Sequence, residues 1–167
     1  MADLLTQILV LYVVLTVTSW QIDWVTKRWV VIGMAGSAIP DLAKIGLIVE
    51  NELIESVVGI PFSYAPISTF GGVLVIAAAI TVFFAHEQLK IYGSLVFGGV
   101  VALITDGLRV FADGHAGPWL YPFTWWRPPT PSLYVTSDVR ILIIALLVSA
   151  IVFEIDHWDR LVRFWGR

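Results

Sequence analysis

The chain has 167 residues, of which 58% are hydrophobic and 14% are charged, and its mean hydropathy is +0.85. This composition excludes an ordinary soluble domain and predicts a single transmembrane domain over residues 1–167. The net charge of −3 without a basic tract argues against nucleic acid as a partner, and the lack of cysteine excludes disulfides and thiolate metal ligands.

The apolar stretches predict an all-α membrane bundle. A spanning helix needs about 20 mostly apolar residues, and five stretches qualify or nearly do: 4–20, 29–49, 70–85, 91–111 and 139–155. We expect the first to be retained as a helix, because it has no basic flank and no clear cleavage site. The third stretch is short, and the five-helix topology depends on its crossing the membrane.

Two segments between these stretches are expected to lie outside the bilayer. Residues 50–58 have an amphipathic pattern that favours a surface helix, followed by a Pro/Gly loop over 59–66. The largest loop, 112–138, contains five prolines and many aromatic residues. It is expected either to cover a site as a lid or to anchor at the headgroup level as an aromatic belt.

The basic residues predict the orientation in the plasma membrane. With five spans, six of the ten basic residues fall on one side, which the positive-inside rule makes cytoplasmic; they are Lys27, Arg28, Lys90, Arg160, Arg163 and Arg167. The N-terminus and the two long loops are then outside, and the C-terminus is cytoplasmic.

Two acid–base pairs interrupt the apolar stretches. Asp41 precedes Lys44 and Asp106 precedes Arg109, each by three residues, which places the partners on one helix face. A charge at the bilayer centre costs at least ~2.5–3.5 kcal/mol, so intramembrane charges usually face a bundle interior or a wet cavity and mark a functional site. The alternative is that both pairs are intrahelical salt bridges that let the helices insert.

The functional interpretation assigns a role to each charge. Asp41 and Asp106 are candidate catalytic carboxylates and ligands of a divalent metal ion of unknown identity, with a bound cation making water more acidic. Lys44 and Arg109 are candidates for holding an anionic group such as a phosphate. His115, after the fourth helix, is a candidate third metal ligand or else an exposed loop histidine.

Two further residues are candidates for substrate binding. Ser68, with Thr69 beside it, precedes the third stretch and either lines the site or only caps the helix. Arg127, in the aromatic loop, could face a lipid phosphate. At the other side a second group of titratable residues predicts either a metal site or solvated helix ends: His86, Glu87, Glu154, Asp156, His157 and Asp159.

Four short motifs resemble the YdjM-type membrane-bound metal-dependent hydrolases. They are Ile39-Pro40-Asp41, Ile67-Ser68-Thr69-Phe70, Asp106, and Leu120-Tyr121-Pro122-Phe123, and the tail 126–131 is similar to that of archaeal members. The chain departs from the family in lacking its histidines, at Ser68 or Thr69 and at Ala102 or Leu103.

The resemblance implies a membrane-embedded hydrolase-like protein acting on a phosphate-containing or lipid substrate, with Asp41 and Asp106 as the carried-over ligands. The missing histidines favour the alternative of a non-catalytic protein that binds a lipid or a partner subunit through the same charges. Membrane lipids are expected partners in both cases, and a partner membrane protein or a homo-oligomer is compatible with both.

Overall fold

The computed structural model describes residues 2–135 and 138–165, with side chains over 4–135 and 138–158. The described residues are helical, with isolated bridges but no β-strand, which confirms the predicted all-α class. The helices are α1 (Ala2–Gln21), α2 (Lys27–Gly36), α3 (Ala38–Asp41), α4 (Asn51–Val58), α5 (Phe70–Val82), α6 (Gln88–Gly107) and α7 (Val139–Trp165), with 3₁₀ turns over Leu42–Leu47 and Ala65–Ser68.

Three helical segments of the described chain are long and apolar enough to cross a membrane. They are Leu4–Gln21, Lys27–Leu47 and Gln88–Gly107, which confirms a membrane-type bundle but not the number of five spans. The predicted third span forms α5, whose 13 residues extend about 20 Å, less than the ~30 Å hydrocarbon core. Helix α7 has 27 residues and starts where the sequence predicted its fifth stretch.

The second segment is broken where its proline requires it. Helix α2 ends at Gly36, four residues before Pro40, and α3 begins after Ser37. A proline ring clashes with the carbonyl four residues earlier and has no N–H to donate. The break therefore follows from the sequence, and it turns the chain into the 3₁₀ segment that carries Lys44.

Helices α2 and α6 pack closely through glycines. A Cβ at Gly36 would lie 2.8 Å from the Cα of Leu95, and one at Gly98 would lie 3.1 Å from the Cα of Gly36. Real Cβ atoms rarely come so near backbone, so only small residues permit this approach. Since Arg28 also pairs with Glu87, the two helices run parallel, and both acid–base pairs follow at the same end of the bundle.

The aromatic loop is held against the start of α5. The backbone N–H of Phe70 donates to the carbonyl of Trp119 at 2.7 Å, and that of Gly71 donates to the carbonyl of Tyr121 at 2.8 Å. The first N–H groups of a helix have no partner within the helix, so the loop satisfies two of them. The first part of the loop is therefore fixed at the start of α5. Its Trp119 ring would lie 3.8 Å from a Cβ at Gly107, so the loop also reaches the end of α6, where it can cover a site.

Helix α4 is exposed on the surface, as its amphipathic pattern predicts. It contains no buried residue, and the exposed residues in and around it include Leu47, Leu53, Val57 and Val58. It ends at Gly59, whose φ of +73° is a conformation that glycine adopts without steric cost. An exposed helix with apolar side chains is typical of a segment lying along a membrane surface.

Candidate functional site

A cavity of about 130 Å³ lies at the C-terminal end of α6, below the aromatic loop. Its lining includes three residues that the sequence predicted for the site and two aromatic side chains: Ser68, Asp106, Arg109, Phe111 and Trp119. The fold thus brings the turn before α5, the end of α6 and the aromatic loop around one space. We call it the α6 cavity.

The acid and the base in the α6 cavity are partly buried. Asp106 Oδ1 lies 3.8 Å from a terminal nitrogen of Arg109, and the two side chains are 22% and 27% exposed. The guanidinium also lies over the ring of Phe111, 4.6 Å from its centroid, where a cation is attracted to the π face. Both charged groups are therefore positioned by neighbours and still reach the cavity.

Gln7 of α1 contacts this site, although the sequence interpretation did not single it out. Its Nε2 donates to Asp106 Oδ1 at 3.0 Å, and the residue is 2% exposed. Its Oε1 and the Nε1 of Trp119 are buried without a hydrogen-bond partner among the described residues. The available signal was an amide inside the first apolar stretch, where a polar group needs a partner.

The pair Asp41–Lys44 is a separate feature. Asp41 Oδ1 lies 2.7 Å from Lys44 Nζ, and the lysine side chain is 49% exposed. Neither residue lines the α6 cavity, although α3 packs against α6 and against the turn Ala65–Ser68. The fold brings the segments of the two pairs together, but only Asp106 and Arg109 share a cavity.

The hydroxyl groups of Ser68 and Thr69 precede α5, and the sequence left open whether they cap this helix or line the site. Thr69 caps α5, since its Oγ1 accepts from the N–H of Gly72 at 3.2 Å. Ser68 lines the α6 cavity, with its Oγ donating to the carbonyl of Ala65 at 3.1 Å. The capping role thus belongs to Thr69 and the lining position to Ser68.

His115 and Arg127 hold the aromatic loop together. Arg127 donates to Asp113 Oδ2 at 2.6 Å and, through Nε, to the carbonyl of Ala116 at 3.0 Å. His115 Nδ1 lies 2.8 Å from the carbonyl oxygen of Asp113. Neither residue lines the α6 cavity. The backbone N–H of His115 and the Arg127 guanidinium hold the pKa of Asp113 below its usual value, so the Asp113 carboxylate is ionised at neutral pH. We call the contact between Arg127 and Asp113 the loop clasp.

The metal ligand set predicted from the sequence does not assemble in this arrangement. Asp41 and Asp106 each lie beside the cation three residues further along the chain, and Asp106 also accepts from Gln7. Across the described residues, no three carboxylate or imidazole groups lie close enough to share an ion. The side chains as placed do not fit a metal centre, and the metal remains a prediction.

Two of the titratable residues at the opposite end, Glu87 and Asp156, form ion pairs. Glu87 binds Arg28 at 2.6 Å and Lys90 at 3.1 Å, and Asp156 lies 4.0 Å from Lys27. The Lys90 hydrogen bond is the main cause that lowers the pKa of Glu87. These pairings agree with solvated helix ends; the side chain of Asp159 lies outside the described residues.

The fold and the cavity define a class: over the residues that the structure describes, the protein is helical, with three segments suited to crossing a membrane and an acid–base cavity at the end of one of them. Comparison with protein-family models, with curated proteins and with solved structures gives no match to this chain.

Proposed function

We propose that the protein is a multi-pass plasma-membrane protein whose α6 cavity binds the phosphate-bearing headgroup of a lipid or lipid-like molecule on the outer side. The main support is that the Arg109 guanidinium, the Asp106 carboxylate and the Ser68 hydroxyl line one cavity beside aromatic side chains. Arginine suits this role, because its planar fork of N–H donors matches phosphate oxygens.

A proposed topology of five spans supports an outer location for this cavity. The parallel course of α2 and α6 follows if each crosses from the cytoplasmic side and α5 returns between them. The ion pairs of Arg28, Lys90 and Lys27 then share the cytoplasmic end, in line with the positive-inside rule. The short α5 would cross where the bilayer is locally thinned, or residues flanking it would extend their side chains to the interface.

The unpaired indole N–H of Trp119 also supports an oxygen-rich ligand. A buried donor without an acceptor costs roughly 1–3 kcal/mol, and Trp119 lines the cavity. An oxygen of the headgroup that accepted from this N–H would remove that cost. Asp106, held by Gln7, would orient Arg109 and contact any cationic or hydroxyl portion of the headgroup.

Binding of a phosphate lipid with and without the cavity cation tests the proposal. Arg109→Gln should weaken binding of phosphatidic acid in mixed micelles by about tenfold or more, since a hydrogen bond to a charged group contributes roughly 1.5–3 kcal/mol. Arg140→Gln is the matched control, because Arg140 does not line the α6 cavity and its replacement should leave the affinity within about twofold. Equal affinities for all three proteins would refute this function.

The second candidate is the hydrolase activity that the YdjM-type resemblance implies. The observation in its favour is that the four resembling segments converge: α3 packs on the turn Ala65–Ser68 and on α6, and the loop carbonyls of Trp119 and Tyr121 bind the start of α5. The four segments therefore lie at one end of the bundle, although Asp41 does not line the α6 cavity.

Metal content separates the two candidates. A metal near one equivalent in the purified protein, lost in the Asp41→Asn, Asp106→Asn double variant, would favour the hydrolase and justify a screen of phosphate-ester and lipid substrates. Lack of metal in both proteins, together with phosphate-lipid binding that depends on Arg109, would favour the binding function.

A further inference from the structure

A second cavity lies at the opposite end of the bundle, between α1, α2 and α6. It has a volume of about 270 Å³, and its walls are mostly apolar, including Leu15, Val25, Trp29 and Phe97. A Cβ at Gly93 would meet no atom within 4 Å, so this glycine leaves the floor of the groove open. We call this space the Gly93 groove; it shares no lining residue with the α6 cavity.

Two cationic side chains lie over the indole ring of Trp29 at the edge of the Gly93 groove. Arg28 lies 5.1 Å and Lys90 lies 5.6 Å from the ring centroid of Trp29. Glu87 binds both, at 2.6 Å and 3.1 Å. Two positive charges against one negative charge leave this cluster with a net charge of +1.

The cluster keeps that charge at neutral pH and remains accessible. The hydrogen bond from Lys90 and the charge of Arg28 help lower the pKa of Glu87, so the carboxylate is ionised and the sum stays at +1. The side chains of Arg28 and Lys90 are 56% and 50% exposed. A ligand with a negative group can therefore approach the two cations without displacing a buried ion pair.

We propose that the Gly93 groove binds one anionic phospholipid of the cytoplasmic leaflet, with an acyl chain over Gly93 and the phosphate at Arg28 and Lys90. The charge of the cluster complements the headgroup, and basic residues at this level attract anionic lipids. Trp24, which is 57% exposed and lines the same groove, fits the interfacial level where tryptophan is enriched. A soluble phosphate would not use the apolar groove, and a neutral lipid would not use the cations.

Native mass spectrometry of the whole protein from micelles with equal phosphatidylglycerol and phosphatidylcholine tests this site. The wild type should retain phosphatidylglycerol preferentially. Each basic residue near the surface contributes roughly a fivefold factor, so Arg28→Gln with Lys90→Gln should weaken phosphatidylglycerol binding by about 25-fold. Arg140→Gln, at the far end of α7, is the charge-matched control and should leave it unchanged.

Two further variants keep the test decisive if the double variant does not fold. Glu87→Gln raises the cluster charge to +2 and should strengthen phosphatidylglycerol binding about fivefold. Gly93→Leu fills the groove and should weaken retention of both lipids, whereas Ser94→Ala beside it should not. Equal retention of the two lipids by the wild type, or no change in Glu87→Gln and Gly93→Leu, would overturn the site. An Arg109→Gln protein should keep it, because the α6 cavity is separate.

Discussion

Asp41–Lys44 and Asp106–Arg109 have the same spacing along the chain but different surroundings. The first pair is a 2.7 Å ion pair on a 3₁₀ turn with its lysine half exposed. The second pair is longer, at 3.8 Å, and is enclosed by Gln7, Phe111 and the aromatic loop. The spacing along the chain therefore fixes which charges are neighbours, whereas the other segments packed around a pair decide whether it lines a cavity.

Both acid–base pairs are held in place by the packing of α2 against α6, so the largest loss of stability is expected from a change where these two helices touch. Gly98→Val would place a branched side chain against the α2 backbone, and such overpacking costs roughly 1–3 kcal/mol or more. We expect a marked loss of thermal stability in detergent and loss of ligand binding at the α6 cavity.

Gly93→Ala is the matched control for that variant. It lies in the same helix, and its added methyl meets no atom within 4 Å. Because alanine is favoured over glycine in a helix by up to ~1 kcal/mol, its stability should be equal or higher. Equal losses in both glycine variants would show that α2 and α6 do not pack as described.

Removing the carboxylates of Asp106 and Asp41 one at a time compares how much each acid–base pair contributes to stability. Asp106→Ala leaves the buried Gln7 amide without its acceptor, which costs roughly 1–3 kcal/mol of unfolding free energy. Asp41→Ala removes a pair whose lysine is half exposed, and such pairs contribute about 0–1 kcal/mol. Chemical denaturation of both variants beside the wild type measures the difference.

Gln7→Leu provides the control for the Asp106 variant. Replacing both partners of a buried hydrogen bond by apolar groups can be nearly neutral, so the double variant Gln7→Leu, Asp106→Ala should recover part of the lost stability. Independent, additive losses in the double variant would mean that Gln7 does not act through Asp106.

The smallest effect on stability is expected at the loop clasp, Arg127–Asp113, which holds the aromatic loop that covers Asp106 and Arg109. Since the pKa of Asp113 is lowered in the folded loop, the stabilisation is present above the unfolded pKa of about 3.9 and is lost as the pH falls through the lower folded value. Limited proteolysis of the loop should therefore increase in strong acid.

Asp113→Asn should remove that pH dependence, because the titrating group is gone while its shape remains. Asp41→Asn should leave it intact, because Asp41 is not part of the clasp. A proteolysis profile with the same acid dependence in wild type and Asp113→Asn would assign the effect to another group.

The helical class, the apolar segments and the partners within each acid–base pair follow from the amino-acid sequence alone. These features are local: hydropathy acts through runs of about 20 residues, proline acts on the carbonyl four residues earlier, and residues three apart share a helix face. That is why the sequence predicted the surface position of α4 and the pairings Asp41–Lys44 and Asp106–Arg109.

Which of these residues come into contact depends on how the helices pack. The sequence predicted one site made of seven residues: Asp41, Lys44, Ser68, Asp106, Arg109, His115 and Arg127. Of these, the fold places Ser68, Asp106 and Arg109 around one cavity, and it adds the unpredicted Gln7 as a hydrogen-bond donor to Asp106. Contacts between residues 99 positions apart depend on how glycines allow helices to approach and on which helix N–H groups the loop satisfies. No local pattern encodes those distances, because they result from packing the whole bundle at once.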